Sequence, residues 1–275
     1  MTATFPAVRV SVLADPAEPS VEPASALSAV RVFAWRSLLK LRHTPEQAAD
    51  AILIPFIFTV LFTYVFGGAL SGSPGTYLEY LLPGTLVMGI LIMTVYGGLS
   101  LNTDVSRGVL DRFRALPIWQ PAHVVGTLLG DVGRYVVAAT LVVLLGLVLG
   151  WRPDGGLPGV VVGIGLALVF AYALSWLWAT VGLLARSPQA VSMLSFVIQF
   201  PLTFVSNAFV DPETMPSWLQ GWVEVNPVSL LVTAERALFA GTATVGDVAW
   251  VLLPSAAVVA VFAPLTLHLY RRKTA

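Results

Sequence analysis

Six apolar runs, each long enough to cross a bilayer as a helix, take up most of this 275-residue chain. The hydrocarbon core needs about 17–25 consecutive, mostly apolar residues. The runs are Ala51–Leu70 and then, approximately, Tyr80–Leu101, Val124–Gly150, Gly159–Ala185, Ala190–Val210 and Val248–Tyr270. They are continuously apolar rather than alternating, which predicts helices and argues against a barrel. Only 11% of the residues are charged and 57% are hydrophobic, with a mean hydropathy of +0.83. A soluble domain carries about a quarter charged residues. Pro55, Pro83, Pro201, Pro254 and Pro264 lie inside the runs. Membrane helices tolerate such prolines because neighbours satisfy the freed carbonyls. The expected fold is therefore an all-α polytopic membrane protein with a six-helix domain over residues 51–270.

Basic residues favour the cytoplasmic side of a membrane. With six spans, one side holds Arg9, Arg31, Arg36, Lys40 and Arg42 before the first run, and Arg107, Arg112 and Arg114 between the second and third. Arg186 and the terminal Arg271, Arg272 and Lys273 fall on the same side. Arg152 and Arg236 fall on the other. Both termini are expected to be cytoplasmic, with residues 271–275 as a short cytoplasmic end. Tyr80, Trp151, Trp218, Trp222, Trp250 and Tyr270 stand where membrane interfaces are expected. Residues 1–26 are rich in Pro, Ala and Glu and read as a disordered cytoplasmic tail. No basic segment with a short apolar core precedes Ala51, so a cleaved signal peptide is not expected.

Three segments outside the runs carry pattern. Residues 27–43 predict an amphipathic helix lying in the membrane interface. Leu27, Val30, Ala34, Leu38 and Leu41 form its apolar face, with Arg36, Lys40 and His43 opposite. It serves as a basic anchor or as a contact for a cytoplasmic partner. Residues 104–117 link the second and third runs. Val105, Val109, Leu110, Phe113 and Leu116 share one face of a short helix. Arg107 can pair with Asp111, and Asp111 with Arg114, at helical spacing. This segment is either a solvated linker or a docking element that transmits force. Residues 211–241 lie outside, between the fifth and sixth runs. Pro212, Pro216 and Pro227 break them into short pieces, as an external loop or a segment re-entering the outer leaflet.

Polar residues in the fifth run are spaced, not scattered. Ser192, Ser195, Gln199, Thr203 and Ser206 recur every three or four residues and fall within roughly 80° of arc, with Asn207 extending the stripe. Such a stripe must face protein or a water-filled cavity. It can glue helices together or line a path. In the third run Asp131 and Arg134 are three residues apart, consistent with a neutralised pair or, alternatively, a proton relay.

Several chemistries lack their residues. Cysteine is absent, which removes disulfides, thiol catalysis and Cys-based zinc sites. The only lysines, Lys40 and Lys273, do not follow a glycine, so there is no phosphate-binding G-x-x-x-x-G-K-[ST] loop. H-E-x-x-H and G-x-S-x-G are absent too, and no metal or catalytic set is expected. Net charge is zero, which gives no argument for nucleic acid.

Three stretches together resemble the permease subunits of bacterial ABC-2 type exporters, especially the daunorubicin/doxorubicin-resistance kind. They are YLLPGTLVMGI from Tyr80, SRGVLDRFRALPIWQPAHVVG from Ser106, and NPVSLLVTAERALFAG from Asn226. The likeness runs over residues 27–273, with Asp111 standing where many members carry Glu. It implies a plasma-membrane exporter of a hydrophobic or amphipathic solute: a drug or antibiotic, a lipid or a glycolipid. Two permease chains would pair with two ATP-binding subunits, which would hold ATP and magnesium. It also makes residues 27–43 the interface helix, residues 104–117 the coupling region and residues 211–241 the re-entrant segment. Arg107, Asp111, Arg112 and Arg114 are then the expected coupling residues. Ser192, Ser195, Gln199, Thr203, Ser206 and Asn207 are expected at the substrate path or dimer seam. None is catalytic. An ion-driven secondary transporter and a membrane-embedded lipid-modifying enzyme are the alternatives.

Overall fold

The computed structural model describes residues 25–43, 45–110 and 118–274, and these residues are helical with no strand among them. The helices are α1 (Ala26–His43), α2 (Pro45–Leu61), α3 (Gly67–Ser71), α4 (Pro74–Ser106) and α5 (Ala122–Val148). They continue with α6 (Gly156–Leu184), α7 (Pro188–Phe204), α8 (Ser217–Val225), α9 (Pro227–Ala240) and α10 (Val245–Thr274). A π-helical turn, Phe62–Phe66, joins α2 to α3. Among the described residues, five segments are long and apolar enough to cross a membrane: Leu53–Ser71, α4, α5, α6 and Val245–Lys273. The fifth expected run forms α7, which has 17 residues, at the short limit for a span.

α4 is the central helix. Its most apolar stretch is largely buried, and it packs against α2, α5, α6, α7 and α9. Small residues set the close approaches. A side chain at Gly98 would collide with the Trp178 backbone of α6, and one at Gly182 with the Gly98 backbone. Trp178 reaches across to donate from Nε1 to Thr94 Oγ1 at 2.9 Å. Asn102 donates through Nδ2 to the carbonyls of Gly182 and Ala185, both at 2.8 Å. These bonds satisfy carbonyls that the C-terminus of α6 leaves open.

The α1 residues buried in the protein are Ala29, Phe33 and Ser37; of the expected apolar face, Val30 and Ala34 are half-buried and Leu27 and Leu38 are exposed. Gly126, Gly130 and Gly133 on α5 admit the helix: a side chain at any of them would strike Val30, Phe33, Ala34, Ser37 or Leu38. Backbone-to-backbone packing along small residues is a habit of membrane helices. It also turns Arg36 and Lys40 toward α4 rather than away from the protein. Trp151 is buried and meets Phe239 edge-on at 5.2 Å. Tyr270 is likewise buried, whereas Trp218, Trp222 and Trp250 are exposed.

The linker differs from its expected form as well. α4 runs through Asp104 and Val105, and the chain turns at Arg107 and Gly108, where Gly108 has φ +64°. That left-handed conformation favours glycine, so no single helix starts at Asp104. Asp111, Arg112, Arg114 and the rest of residues 111–117 lie outside the described residues, as does the N-terminal tail over residues 1–24.

Candidate functional site

Three features of the bundle carry polar chemistry. The first is at the C-terminal end of α4. Asp104 accepts a forked pair from Arg36, with Nη1–Oδ2 and Nη2–Oδ1 both 3.3 Å. His123 Nε2 of α5 lies 3.1 Å from Oδ2 and Lys40 Nζ 3.8 Å from it. Lys40 also donates to Ser100 Oγ at 2.8 Å. Burial holds the Lys40 ammonium below its ordinary value, and Asp104 pulls it back up. The His123 ring is fixed edge-on by Phe33 at 5.2 Å and stacked on Tyr270 at 6.0 Å. One carboxylate of α4 therefore gathers side chains of α1 and α5, with Tyr270 of α10 stacked on His123.

A second polar tie leads from α1 into the bundle. Ser37 donates to Asp131 Oδ1 at 2.8 Å, and Arg134 Nε lies 3.5 Å from the same oxygen. All three residues are buried. The Arg134 guanidinium stands 5.9 Å from the centroid of Tyr96 on α4. So the expected Asp131–Arg134 pair is present and is joined by α1.

The second feature is a cavity of about 520 Å³ between α2, α4 and α7. Ser192, Ser195, Gln199 and Thr203 form its polar wall. Tyr96, Phe58, Phe196, Phe200 and Phe204 supply aromatic surface, and Met88 and Ile92 aliphatic surface. The Ser195 hydroxyl is satisfied within its own helix by Val191 O at 2.7 Å. The Gln199 amide nitrogen is buried without a hydrogen-bond partner among the described residues. A mostly apolar pocket with few polar groups suits a hydrophobic or amphipathic guest.

The third feature begins where α7 stops. Ser206 and Asn207, expected on the same stripe, do not line the cavity, because the helix ends at Phe204. They belong to residues 205–209, a non-helical stretch buried in protein. Irregular backbone at membrane depth needs its polar groups satisfied by neighbours. Asn226 Nδ2 reaches the carbonyls of Leu202 and Val205, at 2.9 and 2.8 Å. Arg236 donates to Asn207 O at 2.7 Å and to Tyr80 O at 3.0 Å, with its guanidinium 3.6 Å above the Tyr80 ring. Tyr80 and Tyr77 hydroxyls donate to Asn207 O and Phe209 O, at 3.0 and 2.8 Å. Asn207 Nδ2 donates to Thr233 Oγ1 at 2.8 Å. A side chain at Gly84 would collide with the Ala208 backbone. Thus Tyr80 and Gly84 from one sequence motif, and Asn226 and Arg236 from another, converge on five residues.

The expected site residues separate accordingly. Four of the stripe residues share a cavity wall and two hold the backbone beyond it. Arg107 is exposed at the C-terminal end of α4, and its three expected companions lie outside the described residues. The sequence reading missed Asp104 as a hub. The available signal was a lone aspartate closing an apolar run, since a carboxylate taken from water must find partners.

A family model described as ABC-2 type transporter matches residues 28–240. The daunorubicin resistance ABC transporter permease protein DrrB1 of Streptomyces coeruleorubidus is 51% identical over 252 residues, covering 92% of this chain and 89% of that protein. The Mycobacterium tuberculosis protein named "Probable doxorubicin resistance ABC transporter permease protein DrrC" is 26% identical over 254 residues, 89% of this chain and 91% of its own length. The doxorubicin resistance ABC transporter permease protein DrrB of the same organism is 27% identical over 229 residues, 80% and 78% of the two chains.

Proposed function

The chain belongs to the ABC-2 type transporter family, and from that premise we propose that it is the membrane permease of an ATP-driven exporter of hydrophobic or amphipathic solutes. The observation that carries this reading is the cavity of about 520 Å³, with its polar wall on α7 and aromatic surface around it. An antibiotic, a lipid or a glycolipid has the matching chemistry. The relatives named for daunorubicin and doxorubicin resistance favour a drug-like cargo.

In this reading α7 is the sixth span, with α2, α4, α5, α6 and α10, in the plasma membrane with both termini cytoplasmic. The asymmetry of basic residues supports that orientation. Residues 211–241, with α8 and α9, form the external re-entrant segment. Two copies of this chain meet along α7 and bind two copies of an ATP-binding subunit. That subunit holds ATP and magnesium, in keeping with the missing phosphate-binding loop here.

Closure of the ATP-binding pair pushes on α1 and residues 104–117, with Arg107, Asp111, Arg112 and Arg114 at the contact. α1 is tied to α4 through Asp104 and to α5 through Asp131, so it cannot move alone. Arg134 beside Tyr96 carries that movement to the cavity wall. Alternating access then moves the cargo outward.

Vesicles reconstituted with the chain and its ATP-binding partner should accumulate cargo with ATP, unaffected by ionophores. Vesicles with this chain alone should not. Uphill transport by the lone chain, or dependence on an ion gradient, would overturn the reading. Replacing both Arg112 and Arg114 by Glu should leave membrane insertion intact and abolish ATP-driven transport. Normal transport in that variant would remove the coupling assignment.

A further inference from the structure

α9 presents two unlike faces. One clasps the non-helical stretch 205–209. Ser229 Oγ accepts from Asn207 N at 3.3 Å, Thr233 Oγ1 accepts from Asn207 Nδ2 at 2.8 Å, and Arg236 donates to Asn207 O at 2.7 Å. These three residues follow one another at steps of four and three, so they share one side of the helix. They latch α9 onto the stretch.

The other face is apolar and packs against α6. Leu231, Val232, Leu238 and Phe239 all belong to the buried core. Glycines bring the two segments together: a side chain at Gly155 or Gly159 would strike the Leu238 backbone, and one at Gly163 the Phe239 ring. In the middle of this face stands an acid. Glu235 is three or four residues from each of those four core residues, which sets it on their side of the helix. It is fully buried, and neither carboxyl oxygen has a hydrogen-bond partner among the described residues.

No neighbouring charge relieves it. Arg236 is adjacent in sequence, and adjacent residues on a helix do not face each other. Its Nε and Nη2 already serve the carbonyls of Tyr80 and Asn207. On the elements packed against α9, the ionisable groups are Tyr77, Glu79 and Tyr80 at the N-terminal end of α4, Glu224 of α8, Asp247 at the start of α10 and Tyr172 of α6, while α7 has none. None of them bonds Glu235. A carboxylate so placed has lost its water and gained no partner, and a buried acid in that position stays neutral. Burial accordingly raises the proton affinity of Glu235, with Arg236 opposing.

We propose that Glu235 is a proton-binding site that seats α9. With the proton on, its face stays against α6 and the other face keeps hold of Asn207. Loss of the proton to the medium leaves an anion that the apolar face cannot keep. α9 then turns to bring the carboxylate to water, and the turn carries Ser229, Thr233 and Arg236 off the 205–209 stretch. The helix is bounded so that it can turn as a unit: Asn226 and Pro227 break the chain before it, and Gly241, with φ +73°, ends it. α9 thereby responds to the pH of the solution on its own side of the membrane.

The absence of cysteine gives a direct test. Val232→Cys places a thiol at a fully buried position on the Glu235 face, and Ser206→Cys places one at a buried position on the clasped stretch. Each is labelled with a maleimide in the full complex in detergent, from pH 5.5 to pH 8.5. Each rate is divided by that of the same cysteine with Glu235→Gln, which keeps the neutral form at every pH, so the thiol's own titration cancels. For Val232→Cys the ratio should be near one at pH 5.5 and fivefold or more at pH 8.5. Ser206→Cys should rise with the same midpoint. Glu235→Met, a second neutral side chain, should give the same baseline as Glu235→Gln. A ratio of one at every pH, on monodisperse protein, would overturn the proton site. Faster labelling with Glu235→Gln and Glu235→Met at pH 5.5 would overturn it too, since the acid would then be holding α9 by a bond of its own. A rise at Val232→Cys alone would overturn the coupling between the two faces. The labelling needs neither ATP hydrolysis nor cargo, so its outcome is independent of the exporter reading.

Discussion

At the end of the bundle that is inner in the proposed orientation, side chains of α1 and α5 meet on one carboxylate of α4. At the end that is outer in that orientation, side chains of two helices meet on five residues of backbone. Both assemblies use an arginine and both bridge elements far apart in sequence. The inner one sets the cations Arg36 and Lys40 against the Asp104 carboxylate, so charge opposes charge, with the His123 ring beside them. The outer one aims Arg236, Tyr77, Tyr80 and Asn226 at main-chain carbonyls, which are neutral. A charge cluster resists separation of whole helices, and it weakens if the acid its members share is lost. A carbonyl latch is directional and tolerates small losses, because each donor holds one or two bonds. The inner end is thus suited to transmit movement of α1 intact, and the outer end to let go stepwise.

The largest expected effect tests the inner cluster. Asp104→Leu leaves two cations and a buried histidine without their anion. Breaking a buried pair in this way costs about 3–5 kcal/mol. The lower end applies here, because the side chains of Arg36 and Lys40 remain 35% and 33% exposed. Thermal melting of the purified complex in detergent measures it. A companion Arg36→Leu should recover part of the loss, since it removes one of the two cations that Asp104 pairs with. No recovery would mean that Asp104 acts through packing alone.

The outer latch should break differently. Arg236→Lys preserves charge but cannot fork to Tyr80 O and Asn207 O from one planar group. It should destabilise by about 1–3 kcal/mol and should not be rescued by placing an acid nearby. If lysine proves equivalent to arginine, the outer end is held by charge after all, and the contrast with the inner end disappears.

Much of the architecture was legible because apolar run length and helix geometry are strong signals. Five of the six runs mapped onto segments long enough to span and the fifth onto the 17-residue α7, and three- and four-residue steps were enough to set Ser192, Ser195, Gln199 and Thr203 along one wall. The same steps failed at Ser206 and Asn207, since periodicity has no meaning once the helix has ended. Which α1 residues are buried in the protein was not legible, because the deciding residues, Gly126, Gly130 and Gly133, belong to another helix. Their close backbone approach buries Ala29, Phe33 and Ser37. Asn226 and Arg236 stood out only as a family likeness. Their work depends on carbonyls more than twenty residues away, which no local pattern encodes.

Glu235 sharpens the outer side of the comparison. It neighbours the latch arginine on α9, is fully buried, and neither carboxyl oxygen has a hydrogen-bond partner among the described residues. Burial pushes its carboxyl well above the ordinary glutamate value of 4.5, with Arg236 opposing. The folded state therefore favours the protonated acid. Its stabilising effect is complete below 4.5 and is lost as pH rises toward the folded value. The wild-type chain should gain stability on going from pH 7.5 to pH 5.5, measured as the difference from Glu235→Met, which removes the titration. At neutral pH Glu235→Met should be more stable by about 1–2 kcal/mol, because an unpaired buried acid is replaced by an apolar side chain of similar length. If the variant is instead less stable at pH 7.5, the carboxylate has a partner in the assembled transporter.

The smallest effect on stability, and the most informative about cargo, belongs to Gln199. Its amide nitrogen is buried at the cavity wall without a partner, so Gln199→Leu removes an unsatisfied group and should change stability by under about 1 kcal/mol. A guest that hydrogen-bonds this amide would lose that bond while keeping its apolar contacts. Cargo-stimulated ATP hydrolysis by the complex should then need about tenfold more cargo, the equivalent of one bond. Leu194→Ala, on an exposed part of α7 away from the cavity lining, should leave that concentration unchanged. If both substitutions shift it equally, α7 acts through helix packing and its polar wall does not read the cargo. If only Gln199→Leu shifts it, the middle of the bundle differs from both ends: it leaves a donor open for the passenger, where the ends have spent theirs on the protein itself.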